Sequence, residues 1–203
     1  MDVLLKMVTL KISLRKKPVY LSICGSIKRR GLYKYMEIPE FGIKRENEER
    51  RDGGCAIVFD SLAQKFAVGK QTEDGFLRLF SGGVDKNEDI QEGILREVRE
   101  ESGLYDFGHI EKIGEAFAHF HNTLKKVNRV AHATCFLVIL KSTKLTEVKL
   151  EAHEKFYLVW VTAEELLANW NSINQNKDVD HWIYFLEKSM ERITALSLTS
   201  PRR

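Results

Sequence analysis

GGVDKNEDIQEGILREVREESGL, residues Gly82 to Leu104, is the stretch on which the reading of this chain turns. The paired glycines permit a tight loop whose backbone comes close to a ligand or ion. Asp85, Asn87 or Asp89 can cap the helix that follows, and Gly103 before Leu104 is a natural stop. At ~100° per residue, with Ile90 at zero, Ile94, Leu95 and Val98 fall between roughly 40° and 140° and form a buried stripe. Glu97, Glu100 and Glu101 occupy roughly the adjacent 100° of arc, with Gly93 on the same arc. Three carboxylates are therefore expected to converge where core meets solvent.

Like charges so close need a counter-ion. Oxygen donors of this kind suit a hard divalent cation, Mg²⁺ above all, which binds through a few carboxylates, waters and substrate phosphate oxygens. Arg96 can orient a neighbouring glutamate by a charge-assisted bond. Taken alone, the cluster reads first as a solvated charged helix face and only second as a metal site.

The full spacing goes further. G-x5-E-x7-R-E-U-x-E-E-x-G-U, with U aliphatic, is filled at Gly82, Glu88, Arg96, Glu97, Val98, Glu100, Glu101, Gly103 and Leu104. At ordinary residue frequencies a chance match is on the order of one in a billion per starting position. This stretch resembles the Nudix box of MutT-like hydrolases, and the likeness extends more loosely from about Phe41 to Trp170. The resemblance implies an α/β fold, an α/β/α sandwich around a mixed β-sheet. It implies Mg²⁺-dependent (or Mn²⁺-dependent) hydrolysis of a phosphoanhydride in a nucleoside diphosphate linked to another moiety. By position in the box, Glu97, Glu100, Glu101 and the Gly82 carbonyl are the implied metal ligands. Glu88 is implied to pair with Arg96, which holds Glu97; the catalytic set is Arg96, Glu97, Glu100 and Glu101. A homodimer would also fit the family. Two other functions remain: a nucleotide sensor on the same fold without turnover, and an RNA-directed role at caps or tRNA. The sensor would be expected to lose box carboxylates, and all are present here.

Upstream, Cys55–Asp60, Lys65–Lys70 and Phe76–Ser81 read as three short strands. Arg78 alternates against apolar neighbours, which makes it a solvent-facing edge residue or, as the second reading, a phosphate ligand. Downstream, Lys112–His121 and Ala133–Leu140 read as strands. The loop between them carries Lys125, Lys126 and Arg129, an exposed basic loop or a set of substrate-phosphate contacts. His119 and His121 share one strand face, polar surface first and metal ligands second. Members of the family that act on diadenosine polyphosphates or ADP-ribose carry a tyrosine or a proline in this window; His119 to Asn122 holds neither. Leu150–Val161 brings acids into a strand, and the resemblance points to a further catalytic glutamate there, Glu151 before Glu154. Thr162 and Glu165 form a capping box ahead of a helix, and residues 180–193 read as a terminal amphipathic helix.

Charge is unevenly spread. Residues 1–36 hold nine Lys or Arg against the single acid Asp2, a net of +8, which leaves −5 on the rest. This basic extension reads as poorly ordered chain, or as sequence upstream of a start at Met36; contact with nucleic acid, or an organelle-targeting segment, is the second reading. Residues 37–196 form the expected hydrolase domain, and 197–203 a tail. No apolar run approaches the roughly 18 residues of a membrane helix, so no membrane partner is expected. Cys24, Cys55 and Cys135 lie far apart without CxxC spacing, which fits a reducing cytoplasm.

Overall fold

Strand β3 (Gly53–Asp60) is apolar on both faces, and that doubles the core. Cys55, Ile57 and Phe59 enter one hydrophobic cluster, while Ala56 and Val58 enter another across the sheet. The computed structural model describes residues 38–84, 87–122, 125–150, 155–173 and 178–199. The basic extension 1–36 and both Glu151 and Glu154 lie outside them.

The remaining strands are β1 (Glu40–Gly42), β2 (Glu49–Arg50), β4 (Lys65–Gln71), β5 (Leu77–Arg78), β6 (Phe80–Gly83), β7 (Phe107–Asn122), β8 (Val127–Leu140) and β9 (Phe156–Val161). They hydrogen-bond in the order β1-β7-β8-β3-β4-β5, with β2 along β8, β6 on β3 and β9 on β4. β3 runs parallel to β8, and β7 antiparallel to it, so the sheet is mixed. Helix α1 (Ile90–Ser102) covers the Ala56–Val58 face through Ile94, Leu95 and Val98. Helices α2 (Ala163–Ile173) and α3 (Asp180–Thr199) cover the other through Leu166, Trp170, Phe185 and Leu186. Helices on both faces of a mixed sheet make the expected α/β sandwich.

Local chemistry sets the helix ends. Asp89 is the α1 cap, its carboxylate accepting from the Gln91 and Glu92 N–H groups at 2.9 and 3.2 Å. Gly103 ends α1 at φ 77°, donating its N–H to the Arg99 carbonyl at 2.8 Å. At α2 the Thr162 N–H donates to Glu165 Oε2 at 2.8 Å and the Glu165 N–H to Thr162 Oγ1 at 3.2 Å.

Three elements differ from expectation. The third strand breaks at Leu79, because β5 pairs with β4 while β6 crosses to β3. β7 begins at Phe107, and β8 at Val127, so Arg129 stands on a strand and not in a loop. Pairing runs from Gly114–Cys135 to Asn122–Val127 without a register shift and outweighs the polar composition at the turn, while shifts at Phe107/His109 and Lys112/Gly114 carry β7 further back. Cys55 and Cys135, 80 positions apart, are direct partners in the β3–β8 register and both are buried free thiols. Burial first, then the neighbouring Cys55, pushes the Cys135 thiol up, which keeps it protonated. No helix among the described residues is long and apolar enough to cross a membrane.

A Cβ at Gly103 would sit in the left-handed region, 2.6 Å from the Thr146 carbonyl oxygen. Gly103→Ala is expected to lower stability by roughly 1–3 kcal/mol, read as a fall in thermal midpoint.

Candidate active site

Two arginines divide the carboxylates of α1. Arg96 Nη1 donates to Glu97 Oε1 at 2.8 Å and to Glu100 Oε2 at 3.0 Å. Its other edge meets Glu88, Nε to Oε1 at 3.0 Å and Nη2 to Oε2 at 3.2 Å. The expected Glu88–Arg96 pair is thus present, and Glu100 joins it. Hydrogen bonds from Arg96 to Glu88 first, then to Glu97 and Glu100, raise the guanidinium pKa further above its usual value, so its charge is permanent.

Glu101 turns the other way. It is 3% exposed, accepting from Arg78 Nη2 at 2.9 Å and from the Ser81 N–H at 3.0 Å. The Arg78 guanidinium also stacks over Phe156, 4.4 Å from the ring centre. Arg78 is therefore neither a solvent-facing edge residue nor free for phosphate alone; its first partner is a buried carboxylate. The three glutamates do not meet at one point, and among the described residues no three His, Cys, Asp or Glu groups gather as a ready metal site. The reason is electrostatic: the guanidinium ions supply the counter-charge that adjacent carboxylates require.

The donor set nonetheless suits a hard cation. A Cβ on Gly82 would collide with the Glu97 carboxyl carbon and stand 2.5 Å from its Oε1, so the Glu97 head group rests directly on the glycine backbone. Glu100 shares the same Arg96 nitrogen. Carboxylate oxygens beside a bare backbone segment are the chemistry that Mg²⁺ or Mn²⁺ accepts.

Gly82 and Gly83 also border a cleft of about 980 Å³ on the α3 side of the sheet. Arg78 and Arg129 line it, whereas Lys125 and Lys126 sit exposed in the β7–β8 turn and do not. His119 is buried with Nδ1 2.8 Å from Glu48 Oε2, and His121 is exposed with Nδ1 2.9 Å from Asn128 Oδ1. Strand parity put them on one face; burial separates them, because β1 and Glu48 close over His119 alone. Sequence reading missed Arg51, Phe120, His181 and Trp182, all of which line the cleft. Nothing local marks them, since β2, β7 and the start of α3 meet only in the fold. Burial pushes the His181 imidazole down to about 4, against the pull of the Asp178 backbone and of Asp180, so it is neutral near pH 7.

A family model described as the NUDIX domain matches residues 49–183. Three solved structures align at a TM-score of 0.52. A NUDIX hydrolase from Nitrosomonas europaea is 16% identical, covering 70% of this chain and 90% of its own. The NUDIX domain of Shewanella oneidensis NrtR, complexed with ADP ribose, is 14% identical over 72% and 90%. A C. elegans Ap4A hydrolase in a binary complex is 13% identical over 71% and 98%. At such identities the likeness speaks for the fold. No curated protein matches the sequence.

Gly82→Ala is expected to cut any hydrolytic rate by about 100-fold through displacement of the Glu97 carboxylate, with a much smaller change in thermal midpoint; steady-state kinetics beside a melting curve separates the two. Because His181 binds its proton less readily folded than unfolded, its contribution to stability is complete above about pH 6.5 and is lost as pH falls towards 4. His181→Phe should flatten the pH dependence of stability in that window by roughly 3 kcal/mol, measured by denaturant unfolding at each pH.

Proposed function

Because this chain belongs to the NUDIX family, whose hydrolases cleave pyrophosphate bonds, we propose that it hydrolyses a phosphoanhydride in a nucleoside diphosphate linked to another moiety. One observation carries the reading: the Glu97 carboxylate lies on Gly82, with Glu100 on the same Arg96 nitrogen, at the border of a cleft large enough for a nucleotide. ADP ribose and Ap4A, named with two of the structural relatives, are both adenosine-linked phosphoanhydrides.

Glu97 and Glu100, beside the Gly82 carbonyl, would hold Mg²⁺ or Mn²⁺, and Glu101 would add a third carboxylate only by giving up its pairing with Arg78. When bound, such a cation neutralises phosphate oxygens and eases deprotonation of water. Arg96, fixed by Glu88, holds Glu97 and Glu100 in place and does not titrate. Glu101 is tethered to the backbone next to Gly82 through the Ser81 N–H. Glu100 is the most open of the three, its side chain 39% exposed, and Arg96 engages only Oε2. Its Oε1 accepts the proton of the attacking water while the water oxygen bonds to phosphorus in line and the bridging P–O bond breaks. Glu151 is a second carboxylate for this step.

A phosphate-release screen over nucleotide-linked diphosphates, run with Mg²⁺ and with Mn²⁺, tests the proposal. At least one compound should be hydrolysed only with metal, and Glu100→Gln should lower that rate by about 100-fold or more; Glu151→Gln in the same screen reports its share. A silent screen with nucleotide binding retained would instead make the protein a ligand-binding module.

A further inference from the structure

Among the described residues, seven charged side chains line the cleft beside the box, and five of them are neutralised by near neighbours. Asp52 pairs with Arg50 at 2.9 Å, Glu73 with Lys155 at 3.3 Å, Arg78 with Glu101 at 2.9 Å and Asp178 with Arg45 at 3.4 Å. Arg51 and Arg129 remain, with no side-chain partner among the described residues. Arg129 is only 9% exposed, and its Nε is buried without a hydrogen-bond partner among the described residues. A guanidinium cannot shed its charge, so burying one without an acceptor is costly unless an anion arrives to meet it.

Register puts the two together. β2 pairs parallel with β8, Glu49 opposite Arg129, and the Arg51 N–H continues the ladder by donating to the Val130 carbonyl at 3.0 Å. Arg51 thus falls beside Ala131, on the same side of the sheet as Arg129. Its guanidinium also covers Gly83, where a Cβ would stand 3.0 Å from Nη2. Gly82 bears Glu97 on its α1 side, and the next residue bears Arg51 on the cleft side. A phosphate chain lying over this glycine pair would meet carboxylates at one end and guanidinium forks at the other. His181, neutral near pH 7, adds no charge there.

We propose that Arg51 and Arg129 form an anion clamp for phosphate beyond the scissile linkage. The substrate class is then a nucleotide with more phosphates than the two that are cleaved apart, held in the cleft by forked, charge-assisted hydrogen bonds. This deepens the hydrolytic reading and rests on it for the substrate, though the clamp itself binds phosphate without turnover.

The test has a binding arm and a kinetic arm, both on the full chain. In EDTA, calorimetric titration with inorganic tripolyphosphate should show binding by the wild type, weakened about 10-fold by Arg51→Ala and by Arg129→Ala, with Arg129→Lys keeping part of it. With Mg²⁺, the ratio of kcat/KM for diadenosine tetraphosphate over diadenosine diphosphate, which differ only in phosphate count, should exceed one and fall about 10-fold in Arg51→Ala. Arg51 is exposed, so that variant answers the question even where Arg129→Ala fails to fold. Tripolyphosphate binding unchanged in Arg51→Ala and Arg129→Lys, or a ratio that does not move while hydrolysis persists, would overturn the clamp. Binding that depends on both arginines in a protein without hydrolytic activity supports the clamp and removes the hydrolytic reading alone.

Discussion

Carboxylates crowd the outer arc of α1, and the guanidinium of Arg96 is what lets Glu97 and Glu100 share it, with Glu88 drawn in from the loop before the helix. Without a cation between them, adjacent glutamates would repel or take up protons, and the helix would lose its charge pattern. Arg96 uses both edges of its fork, Nη1 towards the paired glutamates and the Nε–Nη2 edge towards Glu88 in the loop before the helix. The loop and the helix are thereby tied into one unit, and the other contacts of the site are built on that unit. Arg78 does the same for Glu101 from the sheet side, under a buried pairing that would be costly to break at either partner.

Glycine makes the next contact practicable. β6 ends beside the Glu97 carboxylate, and only a residue without a side chain at position 82 lets that carboxylate rest on the strand. Gly83, one residue on, faces the opposite side and leaves room for Arg51. Successive strand residues point to opposite faces, so a two-residue glycine segment separates a negative site from a positive one by the thickness of a single strand. The two hydrophobic cores hold this divider in place, α1 against Ala56 and Val58 on one side, α2 and α3 against Ile57 and Phe59 on the other.

Charge complementarity follows from that arrangement. The α1 side presents acids that favour a cation; the cleft side presents arginines that favour an anion. A phosphate chain with its metal offers both at once, which gives the fold a reason to keep each unlike set so close to the other.

Much of this was legible in the chain itself. The apolar stripe of α1, its Asp and Gly ends and the Thr162–Glu165 capping box are set by contacts within a few residues, where sequence spacing is geometry. The box spacing likewise names the reaction family, since its members sit on one helix and the loop before it. Partners across the sheet were not legible. Arg78 reaching Glu101, Arg129 on a strand beside Arg51, His119 closed under Glu48 and Cys55 against Cys135 all depend on register between distant strands. Register is fixed by hydrophobic faces filling a shared core, a collective condition no single stretch contains. Local spacing along the chain therefore sets which bond chemistry the helix is made for, and tertiary structure alone decides which cations keep its carboxylates apart and which arginines have no side-chain partner among the described residues.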